Sequence, residues 1–439
     1  MPTKSTVETE IALQRMVTIY VVTGLLFLVL PGTFLGVWNL VSISGRHSLA
    51  GLSQAWLQAH GHAQIFGWIG TFVIGIGYYS LSKMGGLKPV AVSRAWMSWA
   101  LWTGGVTLRW VANVTEFQWR ALLPVSAAIQ LIAFVIFFVT VSHHKSQPAQ
   151  IKRAPIETWM KLVIAATVAF LFALILNQVE TVILASTAEH PVIPHWLDQR
   201  YLFLAAWGFP VLAVWGFNAR WLPVFLGLRE PSSGGLIAAL AASACGLAAA
   251  LLGYLQIAAV VLLIAGILAT VALRVFRRPI TPAKTLGVSP SFPAFVRGAY
   301  VWLLIAAALG VYAAFADIHG GAWGASRHAL TVGFLGTMVF AIGQRVLPAF
   351  CGMRLLYIKR LMWASLTILN LGCFLRVSSE IPAYEANLRV AWQILPVSAV
   401  TELTAVTLFA INLGITLLLP APRPAVSRPL TNIALSHPS

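Results

Sequence analysis

Two imidazoles stand two residues apart at His60 and His62 in "HGHAQIFGWIGTFVIGIGYY", and a third, His328, opens "HALTVGFLGTMVFAIGQ". Each precedes an apolar run of about the length that crosses a bilayer. An imidazole in hydrocarbon is costly without a partner, so ionisable or metal-binding groups at such places mark functional sites. The ring offers a lone pair to a metal and a proton that titrates near neutrality. Two such rings facing each other across a gap can occupy both axial positions of a metal held in a flat ring. The plain alternative is a histidine resting in the headgroup region at the first turn of its span.

The elements that must position these rings are apolar helices. Of 439 residues, 59% are hydrophobic and 9% are charged, against about 25% charged in a soluble domain. Twelve apolar runs predict an all-α, polytopic membrane protein. They lie at 16–41, 62–82, 96–114, 121–142, 160–184, 201–226, 235–253, 255–274, 298–316, 328–348, 361–377 and 396–419. The polar opening "MPTKSTVETEIALQRM" runs straight into a full-length span, which predicts no signal peptide. The formal charge of +17 is topological rather than a nucleic-acid footprint. With the N-terminus inside, about 22 of the 29 Lys and Arg fall at cytoplasmic ends. This bias predicts that both termini, and the loop 274–297, face the cytoplasm of a bacterial inner membrane. Cys245, Cys351 and Cys373 form no CxxC and no CxxCH, which excludes covalent c-type haem and a thiolate cluster.

Internal repetition links the histidines. From His62 and His328 the two runs match at eight of seventeen positions without a gap. "LPVSA" occurs at Leu123–Ala127 and Leu395–Ala399, and Arg109 and Arg376 occupy matching places in "TLRW" and "FLRV". "RWLPVFLGLR" and "RVLPAFCGMR", at Arg220 and Arg345, share six of ten residues. Together these matches predict a single membrane domain, 1–439, made of three pseudo-threefold four-helix units at about 16–142, 160–274 and 298–419. His60, His62 and His328 then share one depth, and Gly67, Gly70, Gly333 and Gly336 admit something flat or a neighbouring helix. Equivalent histidines in two repeats favour axial ligation of one haem iron over a headgroup resting place.

These residues resemble the twelve-helix catalytic subunit of the haem-copper oxidases and, more closely, the NnrS family. The likeness covers nearly the whole chain. His328 stands at the oxidase spacing to Pro348 and Phe350, and His60 at the second-span spacing to Gln64, Ile65 and Phe66. The His-x-His of NnrS-like proteins is matched by His60 and His62. The internal repeat favours His62 as the partner of His328, the oxidase spacing favours His60, and residues two apart point about 200° apart on a helix. The resemblance implies haem b, one group with a second possible, and arginine partners for its propionates at Arg376 and Arg389. For each arginine, snorkelling to the headgroups is the plain reading.

Departures from the oxidase pattern narrow this expectation. Gly208-Phe209-Pro210-Val211 stands where a copper-binding histidine is expected, the seventh span carries no histidine, and Ser326 replaces the active-site haem ligand. Copper is therefore not expected, nor is terminal oxygen reduction. The resemblance implies nitric oxide or nitrosative-stress chemistry, or electron transfer from a quinol or cytochrome donor. The rivals are a haem-free transporter or scaffold, and a nitric oxide reductase with an unfamiliar metal site. His190, His195 and His319 read as solvated loop residues or an accessory metal or quinol site, and Arg220 and Arg345 as inner-face anchors. Glu180, Asp317 and Glu402 are acidic groups in or beside spans that could relay protons.

Overall fold

A computed structural model describes residues 4–49, 51–83, 91–142, 156–285, 287–352 and 355–419. Among them there is no strand, and the chain forms twelve helices of membrane-spanning length. We number these α1 (4–46), α2 (54–83), α3 (Val92–Thr115), α4 (Trp119–Ser142), α5 (Thr158–Thr187) and α6 (His195–Leu226). The rest are α7 (Ser233–Leu251), α8 (Leu255–Ala272), α9 (Phe292–Ala316), α10 (Gly321–Phe350), α11 (Lys359–Ala386) and α12 (Arg389–Leu418). Ten of them are long and apolar enough to cross a bilayer on composition alone. The other two, α2 and α3, carry the polar groups His60, His62 and Arg109.

Burial separates an inner set of helices from an outer one. Inside the bundle, 83% of the most apolar stretch of α6 and 72% of that of α10 are buried, against 33–50% in the other eight. The outer helices present Phe172, Ile175, Ile183, Ile267, Phe374 and Val397 outward, as lipid-facing surfaces require. The short turn between α7 and α8 is real: Gly253, at φ +91°, takes a conformation open to glycine.

Several helices begin earlier than hydropathy predicts. α2 starts at residue 54, where the Ser53 hydroxyl accepts the Trp56 N–H at 3.2 Å, not at 62. α10 starts at Gly321 rather than 328, and α6 at His195 rather than 201. The opening turns "QAWLQA" and "GAWGAS" are helical yet too polar to register as membrane-embedded. The three histidines therefore lie about two turns inside their helices, not at the first turn.

The inner helices share a departure from α-geometry. α2 carries a π-helical stretch at Ala63–Gly70, α6 at Leu204–Val211 and α10 at Ala329–Gly336, and these stretches pack against one another in sequence order. They begin one residue after His62, Phe203 and His328, so Phe203 holds the histidine's place in the middle unit. π turns of this kind concentrate at functional sites. α1 has another, Leu28–Phe34, containing Pro31.

Helices α3 and α4 share side-chain detail with α11 and α12. A methyl at Gly105 would fall 2.7 Å from Gln130 Cγ, and one at Gly372 would fall 2.6 Å from Glu402 Cγ. Ser126 donates to the Leu123 carbonyl at 2.7 Å, and Ser398 to that of Leu395 at 2.6 Å. The predicted small residues admit neighbouring side chains: Gly67 packs on Phe27, Gly70 on Trp102 and Gly333 on Trp302. Gly336 borders the central cavity.

Candidate functional site

One cavity of about 470 Å³ lies toward the end of the bundle at which α2, α6 and α10 begin. Its walls include His60, His62 and His328, with Arg109 and Arg376. A volume of this size accommodates one substantial ligand. Arg389 stands exposed at the start of α12 and is not among the lining residues. Helix α12 begins at Arg389 itself, whose side chain is exposed while Ala391 and Trp392 of the same turn are buried.

His60 and His328 share a specific arrangement. His60 Nδ1 lies 2.9 Å from the Gly32 carbonyl in the π stretch of α1, and His328 Nδ1 lies 3.0 Å from the Gly324 carbonyl. A carbonyl only accepts, so each Nδ1 carries the proton and each Nε2 keeps its lone pair. Metal-binding histidines are oriented in this way, with the far ring nitrogen donating to a carbonyl or carboxylate. The two rings lie within electrostatic reach of each other. α1 passes so close to His60 that a methyl at Gly36 would stand 2.6 Å from its Cε1, which fixes the ring in place.

His62 faces a different neighbourhood. Its Nε2 donates to Gln130 Oε1 at 2.9 Å, and Gln130 is oriented by its own N–H bond to the Ser126 carbonyl at 3.3 Å. The ring stacks on Phe66 with centroids 4.5 Å apart, and its Nδ1 is buried without a hydrogen bond. Arg109 lies near it, and Tyr201 and Glu180 lie near Arg109. Arg109 is 2% exposed; its Nε donates to Asn113 Oδ1 at 2.8 Å and its Nη1 to Asn177 Oδ1 at 3.0 Å. The Tyr201 hydroxyl and both Glu180 carboxylate oxygens have no hydrogen-bond partner.

The third unit answers this cluster with charges. Arg376 Nη2 donates to Glu380 Oε1 at 2.9 Å, while Arg376 Nε and Nη1 are buried with no hydrogen bond. Glu380 Oε2 stands 3.5 Å from His328 Nδ1. Repeat by repeat, Arg109 and Asn113 correspond to Arg376 and Glu380, and Gln130 corresponds to Glu402. Sequence reasoning missed Gln130, Asn113 and Glu380. The signal was available: Gln130 and Glu402 each lie seven residues beyond the leucine that opens "LPVSA", and Asn113 and Glu380 each lie four beyond the arginine.

Other predicted residues divide. His195 and His319 line the cavity, the latter with Nδ1 3.0 Å from Glu385 Oε2, while His190 lies exposed beside Glu116. Asp317 accepts the N–H groups of Gly320 and Trp323 at 2.9 and 2.7 Å at the start of α10. Burial pushes its carboxyl above the ordinary range, and these two bonds pull the other way. Ser326 donates to the Ala306 carbonyl at 2.8 Å, and Phe209 stacks on Phe170 with centroids 3.7 Å apart. Among the described residues, no three His, Cys, Asp or Glu are grouped so that they could hold a metal ion by themselves.

The fold resembles that of a solved haem-copper terminal oxidase. A heme-copper terminal oxidase dimer determined by cryo-EM is similar to this chain at a TM-score of 0.69. The two share 13% sequence identity, over 94% of this chain and 85% of that one, so the likeness is one of fold. Residues 160–413 match the family described as a domain of unknown function, DUF8744, and the chain belongs to that family. No curated protein matches the sequence.

Proposed function

We propose that this chain is a membrane haem b protein in which His60 and His328 are the two axial ligands. The observation that carries this reading is the shared arrangement of those rings, each lining one cavity with Nδ1 bonded to a backbone carbonyl and Nε2 without a hydrogen bond. The donor set fits the group, since imidazole pairs hold haem iron and Arg376 presents buried, unpartnered N–H groups suited to a propionate. When bound, a haem would supply one-electron chemistry and, where the iron has an open position, a place for a diatomic gas. The chain's own contribution is to hold the two rings rigidly, keep bulk water from them and balance buried charge with Arg376, Glu380 and Glu402. An NnrS-like role in nitric oxide or nitrosative stress, or in electron transfer from a quinol or cytochrome, rests on the His60-x-His62 pattern. Copper is no part of this reading, because aromatic packing occupies the neighbourhood of Phe209.

A pyridine haemochrome spectrum with metal analysis on the detergent-purified chain is the direct test. We expect a b-type spectrum near one haem per chain, little copper and no sustained oxygen consumption. A preparation without a Soret band would instead favour a haem-free transporter or scaffold. The Lys/Arg asymmetry supports a topology with both termini and the loop 274–297 on the cytoplasmic side of a bacterial inner membrane. Reporter fusions at Lys284 should behave as cytoplasmic, and periplasmic behaviour would reverse the topology.

A further inference from the structure

His60 and His328 both donate Nδ1 to a backbone carbonyl, but only His328 also has a carboxylate beside that nitrogen. Glu380 is 2% exposed, with Oε1 bonded to Arg376 and Oε2 3.5 Å from His328 Nδ1 without a hydrogen bond of its own. Its position is tightly defined. The carboxylate fills the space over Gly324, where an added methyl would collide with Glu380 Oε1. In the first unit the corresponding residue is the neutral Asn113, which bonds Arg109 and the Pro191 carbonyl and leaves His62 to Gln130. The carboxylate therefore occurs beside the ring whose Nε2 is free, and an amide occurs where the ring is otherwise engaged.

We propose that Glu380 is a positioning residue that strengthens His328 as an electron donor and so holds the reduction potential of the bound haem low. The inference rests on the haem assignment above. The charge of Glu380, 3.5 Å from an Nδ1–H already bonded to the Gly324 carbonyl, polarises the ring and raises the electron density at Nε2. A more basic axial ligand stabilises ferric over ferrous iron. Arg376 holds the carboxylate in place and cancels its charge at longer range.

Redox titration and low-temperature EPR of the haem-loaded chain test this, with Glu380→Gln, Gly324→Ala and the double variant Glu380→Gln/Arg376→Met. Glu380→Gln should favour the reduced haem about tenfold, ~59 mV for one electron, and shift the ferric g-values as the charge beside the ring is lost. Gly324→Ala leaves every charge in place and displaces the carboxylate, so it should shift both readouts in the same direction. It also carries the test if Glu380→Gln does not accumulate. The double variant removes one charge of each sign and should still show the raised potential. Its return to the wild-type potential would reduce Glu380 to a counter-ion for Arg376 and overturn the proposal, as would unchanged EPR in Gly324→Ala and Glu380→Gln. A wild-type chain without haem defeats the haem assignment, whereas full haem with an unmoved potential defeats this inference alone.

Discussion

Replacing His328 by Ala, or His60 by Ala, is expected to lower the haem content per chain by about tenfold or more, while His62→Ala retains haem. Altering even the outer partners of a metal ligand lowers metal affinity about 10–100-fold, so removing the ligand itself sets that range as a floor. His62 differs because its Nε2 already donates to Gln130, and its Nδ1 is buried without a hydrogen bond. Its loss removes a stack on Phe66 and one hydrogen bond, so stability falls modestly while the spectrum persists. Pyridine haemochrome content normalised to protein decides the matter. Equal haem loss in His62→Ala and His328→Ala, with His60→Ala intact, would transfer ligation to His62.

Arg109→Leu should cost about 2–6 kcal/mol, because each of the two buried acceptors left unpaired costs roughly 1–3 kcal/mol. The guanidinium joins α3 to α5 through Asn177, and Asn113 continues the chain of bonds to the Pro191 carbonyl before α6. Leucine would strand Asn113 Oδ1 and Asn177 Oδ1 and remove the cation nearest the unpartnered Glu180 carboxylate. Arg389→Leu is the fitting control: its side chain is exposed, and surface substitutions usually stay within about ±0.5 kcal/mol. The readout is the temperature at which the monodisperse species disappears from size-exclusion profiles of heated detergent samples. If Arg109→Leu melts with the wild type, the network does not hold the helices as described.

The helical count was legible because hydrophobicity is dense along lipid-facing and buried helices alike, and even the turn at Gly253 leaves a trace in the sequence. Helix starts were less legible, since the opening turns of α2 and α10 are polar and hydropathy detects the membrane rather than the helix. Repetition exposed the histidines and Arg376, but one-dimensional spacing could not choose between His60 and His62. That choice depends on what each ring meets across the bundle: a carbonyl on α1 for His60, a glutamine on α4 for His62. Glu380 was missed for a similar reason. It lies in an ordinary-looking stretch of α11, and only folding brings it beside a ring fifty-two positions earlier in the chain. Arg389 looked equivalent to Arg376 in residue type and neighbourhood, but the start of α12 carries it to the surface.

The π stretches give the bundle a rotational setting. A helix advances about 100° per residue, and a π turn holds a residue that an α turn would not. The segment on one side of that turn is therefore offset in azimuth from the segment on the other. In α2, α6 and α10 the turn comes directly after His62, Phe203 and His328. Helix length sets how deep those residues lie, and the surplus residue sets which way they face. Deleting a single residue from Ala63–Gly70 would leave the depth of His60 and His62 almost unchanged and swing both rings by about a quarter turn relative to the other half of α2. A one-residue insertion or deletion thus acts on this fold as a compass adjustment, re-aiming ligands among the spaces between units without moving them along the membrane normal.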